Sequence, residues 1–354
     1  MNQSLIDKIA AAVLYEGYIL YPYRPALKNT QRWTFGGVVP RAYSEAVRGS
    51  DAWTMQTECL VEAKPEALLD VRIRFLHLVA RTVGKLTAPL AEWPAKREPE
   101  IKMVESLDVG GQTFQGWQEA VEREVSLDLR PMSQLAAMPR RQSIAFPACR
   151  RLEGLRCPEA DEIVGVLIRE QQPIDAVVDV RAEAVGEELF KVTVKVLNET
   201  HLDDPQERSR DEALMRSLVS THAILNVRGG AFVSLIDPPK QLREVASGCN
   251  NVGAWPVLVG EQGQRDTMLA APIILYDYPQ VAPESPGDLF DSTEIDELLT
   301  LRILTLTGDE KQQMASVEQQ TRALLARTEA LGSEDLWKLH GTFRGRTGTS
   351  GGDR

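Results

Sequence analysis

Thiols are the first residues whose type could do chemistry. Cys59, Cys149, Cys157 and Cys249 are the four cysteines of the 354-residue chain. Arg150, Arg151 and Arg156 stand beside Cys149 and Cys157, and neighbouring cations favour the thiolate that acts as nucleophile or metal ligand. A zinc centre usually pairs its Cys or His ligands about two to four residues apart. Cys149 and Cys157 are set wider than that, and Cys249 stands alone, so a centre built from Cys149, Cys157 and Cys249 requires the fold to bring them together. The alternative is independent buried or surface thiols. The chain has four histidines, none within a recognisable catalytic signature. No GxSxG elbow, HExxH helix or phosphate-cradling lysine loop is present. Gly229-Gly230 leads into a strand-like run and not a helix, which excludes a dinucleotide fingerprint. The residue pattern therefore leans away from an enzyme, implies no cofactor, and keeps a thiol- or metal-dependent enzyme or metal carrier as the rival class.

Two other stretches have the composition of recognition surfaces. Tyr21, Tyr23, Arg24, Lys28, Arg32 and Trp33 interleave aromatic rings with cations, a mixture that can hold an anionic or π-faced ligand. The same rings can equally serve a core, with their polar ends reaching the surface. Further on, YDYPQVAPESPGDLFD places Tyr276, Asp277, Tyr278 and Asp288 among three prolines. Prolines stiffen a loop by restricting its unfolded states, so less order is lost when a partner docks. The competing reading is a surface connection that leads into a helix.

The elements that would position these groups follow from periodicity. Ser4, with Asp7 three residues on, opens a helix whose apolar face carries Ile6, Ile9 and Val13, and Gly17 closes it. Alternation of Met55, Cys59 and Val61, and after Pro65 of Val71, Ile73, Phe75, His77 and Val79, predicts half-buried antiparallel strands. On that apolar side His77 is expected as a hydrogen-bonded core residue and Cys59 as a small buried hydrophobe. Gly110-Gly111 predicts a turn, and Val125 to Leu129 another strand. Residues 131–160 read as loop. Ile163–Ile168, Val178–Ala184 and Val192–Asn198 return to strand, at a spacing that suggests a sandwich or barrel. Ser209 and Glu212 form a capping box for a helix expected to run to about Thr221. Strands follow around Leu225, Phe232, Val257 and Met268, with a hairpin-like turn at Gly229-Gly230, and helices are expected from Asp291, Thr307 and Ser333.

The expected architecture is α+β, with an antiparallel β-sandwich-like N-terminal part and a mixed, helix-ended C-terminal part. Its expected divisions are residues 1–204, 205–340 and a disordered tail, 341–354, with polar residues 201–210 as the linker. A hydrophobic content of 43% and a charged content of 26% suit a packed core. The net charge of -11 argues against nucleic acid as a partner. No apolar run reaches the ~20 residues of a membrane-spanning helix. Asp7 and Glu16 interrupt the first apolar stretch, which is unlike a signal peptide, and sparse cysteines suit a reducing compartment. A cytoplasmic protein is expected.

The runs AVLYEGYILYPYRPALKNTQRWTFGGVVPRAY and WPVLVGEQGQRDTMLAAPIILYDYPQVAPESPGDLFDSTEIDELLTLRILTLT resemble a family of uncharacterised bacterial proteins encoded in [NiFe]-hydrogenase gene clusters. The resemblance covers roughly residues 10–43 and 222–308, and only loosely the strand-rich middle. It implies no catalytic residue. It implies a non-catalytic accessory or assembly factor that contacts hydrogenase subunits or other maturation proteins. A structural scaffold subunit is the third class, and the sequence leaves the oligomeric state unknown.

Overall fold

The computed structural model describes residues 3–16, 36–94 and 97–279. Helix α1 (Gln3–Glu16) comes first, followed by the short α2 (Arg41–Val47). Strand β1 (Thr54–Leu90) is 37 residues long. Its alternation runs through Pro65, so the two strands expected on either side of that proline are one. The chain makes this passage by bulging: register with its neighbour jumps from Ala63 to Leu68, and Lys64, Pro65 and Glu66 are exposed. A proline is tolerated in a strand where no ladder bond is needed from it.

Next come β2 (Ile101–Val104), β3 (Ser106–Val109), β4 (Gln112–Gln115) and β5 (Trp117–Pro131). β3 and β4 form a separate hairpin, closed by Gly110 and Gly111 at φ 57° and 76°, the left-handed conformation that a two-residue hairpin turn requires. The stretch 131–160 is not loop. It holds α3 (Met132–Ala137), β6 (Arg140–Phe146) and β7 (Cys149–Cys157). Its arginines obscure the alternation, because on these edge strands Arg141, Arg150, Arg151 and Arg156 are exposed and Arg140 is half-buried, while Ile144 and Leu155 are buried.

The long strands β8 (Glu162–Gln171), β9 (Ile174–Gly186) and β10 (Leu189–Asn198) follow. The capping box of Ser209 and Glu212 forms, but its helix α4 (Arg210–Leu214) is only five residues long. The chain has already entered β11 (Val219–Phe232) before Thr221, because β-branched Val219 and Thr221 with Leu218 are buried against the sheet. Gly229 and Gly230 lie inside β11 and not at a hairpin tip. They fit there because a Cβ on Gly230 would lie 2.8 Å from that of Ala63 in β1. Helix α5 (Arg243–Ser247), β12 (Trp255–Leu258) and β13 (Thr267–Ala271) complete the described chain.

All strands except β3 and β4 join one 11-stranded sheet, with the main order β12-β13-β11-β1-β10-β9-β6 and with β2, β5, β8 and β7 attached through the second half of β1. Every described pairing is antiparallel. The sheet crosses the division expected at residues 204–205, since β11 and β13 share a core with β1, β9 and β10. That core takes Cys59, Val61, Leu69, Val71, Ile73 and Phe75 from one face of β1, and Val178, Val192, Val194, Leu225, Val227 and Met268 from the other strands. The sheet curls over it, so that Phe146 at the end of β6 meets Phe75 of β1 edge to face at 5.7 Å. The opposite face is covered by α1, whose Ile6, Ile9, Ala10 and Val13 pack on Ile224, Val257, Leu269 and Ala271. The expected helices from Asp291, Thr307 and Ser333, and the expected tail, lie outside the described residues.

Candidate functional site

Residues 272–279 leave β13 and return along edge strand β12. Ile273 and Leu275 pack into the cluster beneath α1, while the alternate residues Ile274 and Tyr276 are 78% and 83% exposed. The segment is anchored at its end. Asp277 accepts a hydrogen bond from Leu258 N at 2.8 Å and another from the Ser234 hydroxyl. Ser234 Oγ in turn accepts from Ile236 N and Asp237 N. Tyr278 N donates to Leu258 O at 2.7 Å, with Tyr278 at φ 57°, and its ring packs against the main core. Burial, then the Asp277 carboxylate, raises the Tyr278 hydroxyl pKa.

The Tyr276–Asp277–Tyr278 triplet thus divides by role. Asp277 and Tyr278 fasten the segment to β12, and Tyr276 stands exposed. Trp255, at the start of β12, is 44% exposed, and Ile236, beside the Ser234–Asp277 link, is 50% exposed. Sequence reading missed Trp255, Ile236 and Ile274. The alternation Ile273–Ile274–Leu275–Tyr276 was the available signal, with one side of the segment covered and the other open.

The aromatic and basic set Tyr21, Tyr23, Arg24, Lys28, Arg32 and Trp33, and Asp288, lie outside the described residues. The chain becomes described again at Gly36, whose φ is 57° and on which a Cβ would stand 2.2 Å from Pro272 Cβ. Gly36 thus lies against Pro272, four residues before Tyr276.

The three thiols expected as an alternative centre are dispersed. Cys149 opens β7 opposite Gln171 and Cys157 closes it opposite Glu162, which separates them by about 27 Å at ~3.4 Å per residue. Cys249 packs near Leu60 and Ala246 in a different cluster. Cys249 has its thiol pushed up to about 11 by burial and then by the Glu58 carboxylate, so it is a protonated, weakly nucleophilic group at neutral pH. Glu58 itself accepts from Asn250 N at 2.8 Å and Thr193 Oγ1 at 3.1 Å. These bonds make it an anchor for the Cys249–Val252 segment along β1. Cys59 is fully buried and its pKa is raised by that burial, in line with the expected small hydrophobe. Among the described residues no group of three or more His, Cys, Asp or Glu is arranged to hold a metal ion.

His77 is a core residue as expected. Its Nε2 lies 2.9 Å from Gln172 O; a carbonyl only accepts, so Nε2 carries the proton. His222 is oriented similarly through Nδ1, 3.1 Å from Ser220 O. Burial pushes both imidazoles down to about 4, so both are neutral at pH 7.

Charge on the sheet is concentrated in cross-strand pairs. Glu119 of β5 accepts from Arg81 at 3.0 Å and from Arg169 at 2.6 Å, and Arg169 also reaches Glu153. Beside the bulge of β1 an open hollow of about 660 Å³ is lined by Glu62, Lys64, Glu187, Glu188, Leu189 and Leu242. No described helix is long and apolar enough to cross a membrane. Comparison with protein-family models and with curated proteins finds no match to this chain.

Proposed function

We propose that this chain is a non-catalytic accessory or assembly factor that works by gripping another polypeptide. The partner implied by the resemblance is a [NiFe]-hydrogenase subunit or a protein that matures it. The observation that carries the reading is the outward strip of Ile274 and Tyr276 with Trp255 and Ile236 near the same edge strand. Exposed apolar residues scattered singly are ordinary, whereas a grouped set marks a contact surface. This set is braced from behind by Asp277, Ser234 and Tyr278, and a braced surface loses little freedom on docking. Tyrosine and tryptophan are also the residues most enriched where protein interfaces concentrate their binding energy.

The histidines and two of the thiols support the same reading through the roles they already have. His77 and His222 are fastened to carbonyls inside the core, and Cys59 and Cys249 are held protonated. We further read the curled sheet as sandwich-like, with β6, β9 and β10 lying over β5 and the second half of β1, and the protein as cytoplasmic.

The test is capture of separately produced hydrogenase subunits on the immobilised full chain. Ile274→Ala combined with Tyr276→Ala is expected to weaken capture about tenfold or more, the loss of one interface hot spot, while leaving the unfolding midpoint unchanged. Capture that is undiminished in the double variant, or no capture by the parent chain, overturns the proposal.

A further inference from the structure

An unpaired strand edge is a row of backbone donors and acceptors onto which another chain can add. Most edges of this sheet are guarded. Leu258 in β12 is occupied by Asp277 and Tyr278. The first half of β1 is closed by mutual bonds between Gln56 and Val252 and by Asn251 Oδ1 on Glu58 N. Alongside β7, Arg156 reaches Ala91 O, Arg150 clasps Glu98, and the Trp93 ring stands 3.6 Å from where a Cβ on Gly154 would be. The β5 edge is broken by a bulge near Arg130 and crowded with charge.

β6 is different. Its seven residues, Arg140 to Phe146, run in unbroken register along β9. It contains no proline, glycine or bulge, and Pro139 and Pro147 delimit it. Among the described residues no backbone group bonds to its outer side. Gln142, Ile144 and Phe146 face the covered side, and Arg141, Ser143 and Ala145 the exposed side.

The charges at its two ends point to what would pair with it. At one end Arg123 lies over the Phe146 ring, 4.8 Å from its centroid, and donates to the neutral Gln171 amide oxygen at 2.7 Å. At the other, Arg140 reaches only Gln142 Oε1, at 3.5 Å. Neither guanidinium meets a carboxylate among the described residues, and the Nε of each is buried without an acceptor. Both are half-buried, in a chain of net charge -11. A desolvated cation without an anion is costly, and a carboxylate supplied from outside would make strong charge-assisted bonds.

We propose that β6 is a β-augmentation site for an extended acidic segment of a partner protein. The segment pairs with the open backbone and places apolar side chains beside Ile144 and Phe146. Its carboxylates meet Arg140 and Arg123, about 20 Å apart along the strand at ~3.4 Å per residue. The idea rests on the reading that this protein acts by contact with polypeptides, and it names the chemistry of one contact.

The probe is a fluorescent nine-residue peptide of alternating valine and threonine with glutamate at both ends, compared by anisotropy with its lysine-ended counterpart on the full chain. The glutamate peptide is expected to bind at least tenfold more tightly. Arg123→Gln with Arg140→Gln should erase that preference, and Arg140→Glu alone should reduce it, in variants whose circular dichroism and unfolding midpoint match the parent's. Isotope-edited infrared spectra should report the bound peptide as strand. Equal binding of the two peptides, no binding, or indifference to both variants overturns the proposal. So does a concentration-dependent dimer of the chain that excludes the peptide, since β6 would then pair with a second copy. Hydrogenase capture without peptide binding sinks the β6 site alone, and peptide binding without capture sinks the hydrogenase reading and leaves the β6 site standing.

Discussion

His77 and His222 make the stability of this protein depend on pH in a definite direction. Each has its folded-state pKa lowered from about 6.5 to about 4 by burial, so the unfolded chain takes up protons that the folded chain refuses. Their contribution is fully present above pH 6.5 and is lost as pH falls through that value toward 4. Over that window each histidine is expected to remove about 1.4 kcal/mol per pH unit. Urea unfolding at pH 7, 6, 5 and 4 measures the slope, and His222→Asn, whose amide nitrogen sits where Nδ1 does and can still donate to Ser220 O, should remove about half of this pair's contribution. A parent chain as stable at pH 4.5 as at pH 7 would contradict the assignment. His77 was legible in the sequence because it occupies an apolar position in a strict alternation. The division of Asp277 and Tyr278 from Tyr276 was not, because neighbouring residues of like composition acquire opposite roles only through the return of the chain to Leu258.

The elements were legible where both faces of a strand had distinct solvents and illegible where an edge or a bulge mixed them. β1, β9 and β10 announce themselves through alternating valines. β6 and β7 do not, since edge strands carry arginine where a central strand carries valine. The helix expected to extend to Thr221 stops early because its cap is local while the pull of the sheet on Val219 is tertiary. Close approach between elements is equally invisible in sequence. A Cβ on Gly165 of β8 would stand 2.2 Å from Leu107 Cδ2 of the β3–β4 hairpin and 3.0 Å from Gly84 O. Gly165→Ala is therefore expected to destabilise by about 1–3 kcal/mol, the usual cost of overpacking. Leu107→Ala in the same chain should recover part of that loss, and a thermodynamic cycle from four unfolding curves measures the coupling. Simple additivity of the two changes would show that the hairpin does not pack on Gly165.

At the scale of the molecule, composition indicates a packed core and apolar alternation a strand-rich chain, and the structure is mostly antiparallel sheet. The polar stretch 201–210 gives the appearance of a linker, yet it is a surface connection between two strands of one sheet, β10 and β11. Polarity of a segment reports that it faces water and says nothing about whether the flanking strands share a core. Residues 1–204 alone lack Leu225, Val227, Phe232 and Met268, all buried in the main cluster. That fragment is expected to show no cooperative unfolding transition by circular dichroism, and a sharp transition would restore the division at 204. Folding of the full chain has to close pairings as distant as Glu62 with Ala231, and such non-local topology is slow to form.

The three exposed residues Lys64, Pro65 and Glu66 have a further consequence. Where β1 runs in continuous register, an added residue would shift the pairing by one and turn buried side chains outward. Here the pairing with β10 ends at Glu62 and that with β11 resumes at Leu68, so extra residues can be absorbed without disturbing either neighbour. Natural length variation, or a grafted epitope, can be accommodated here while the rest of the ladder keeps its partners.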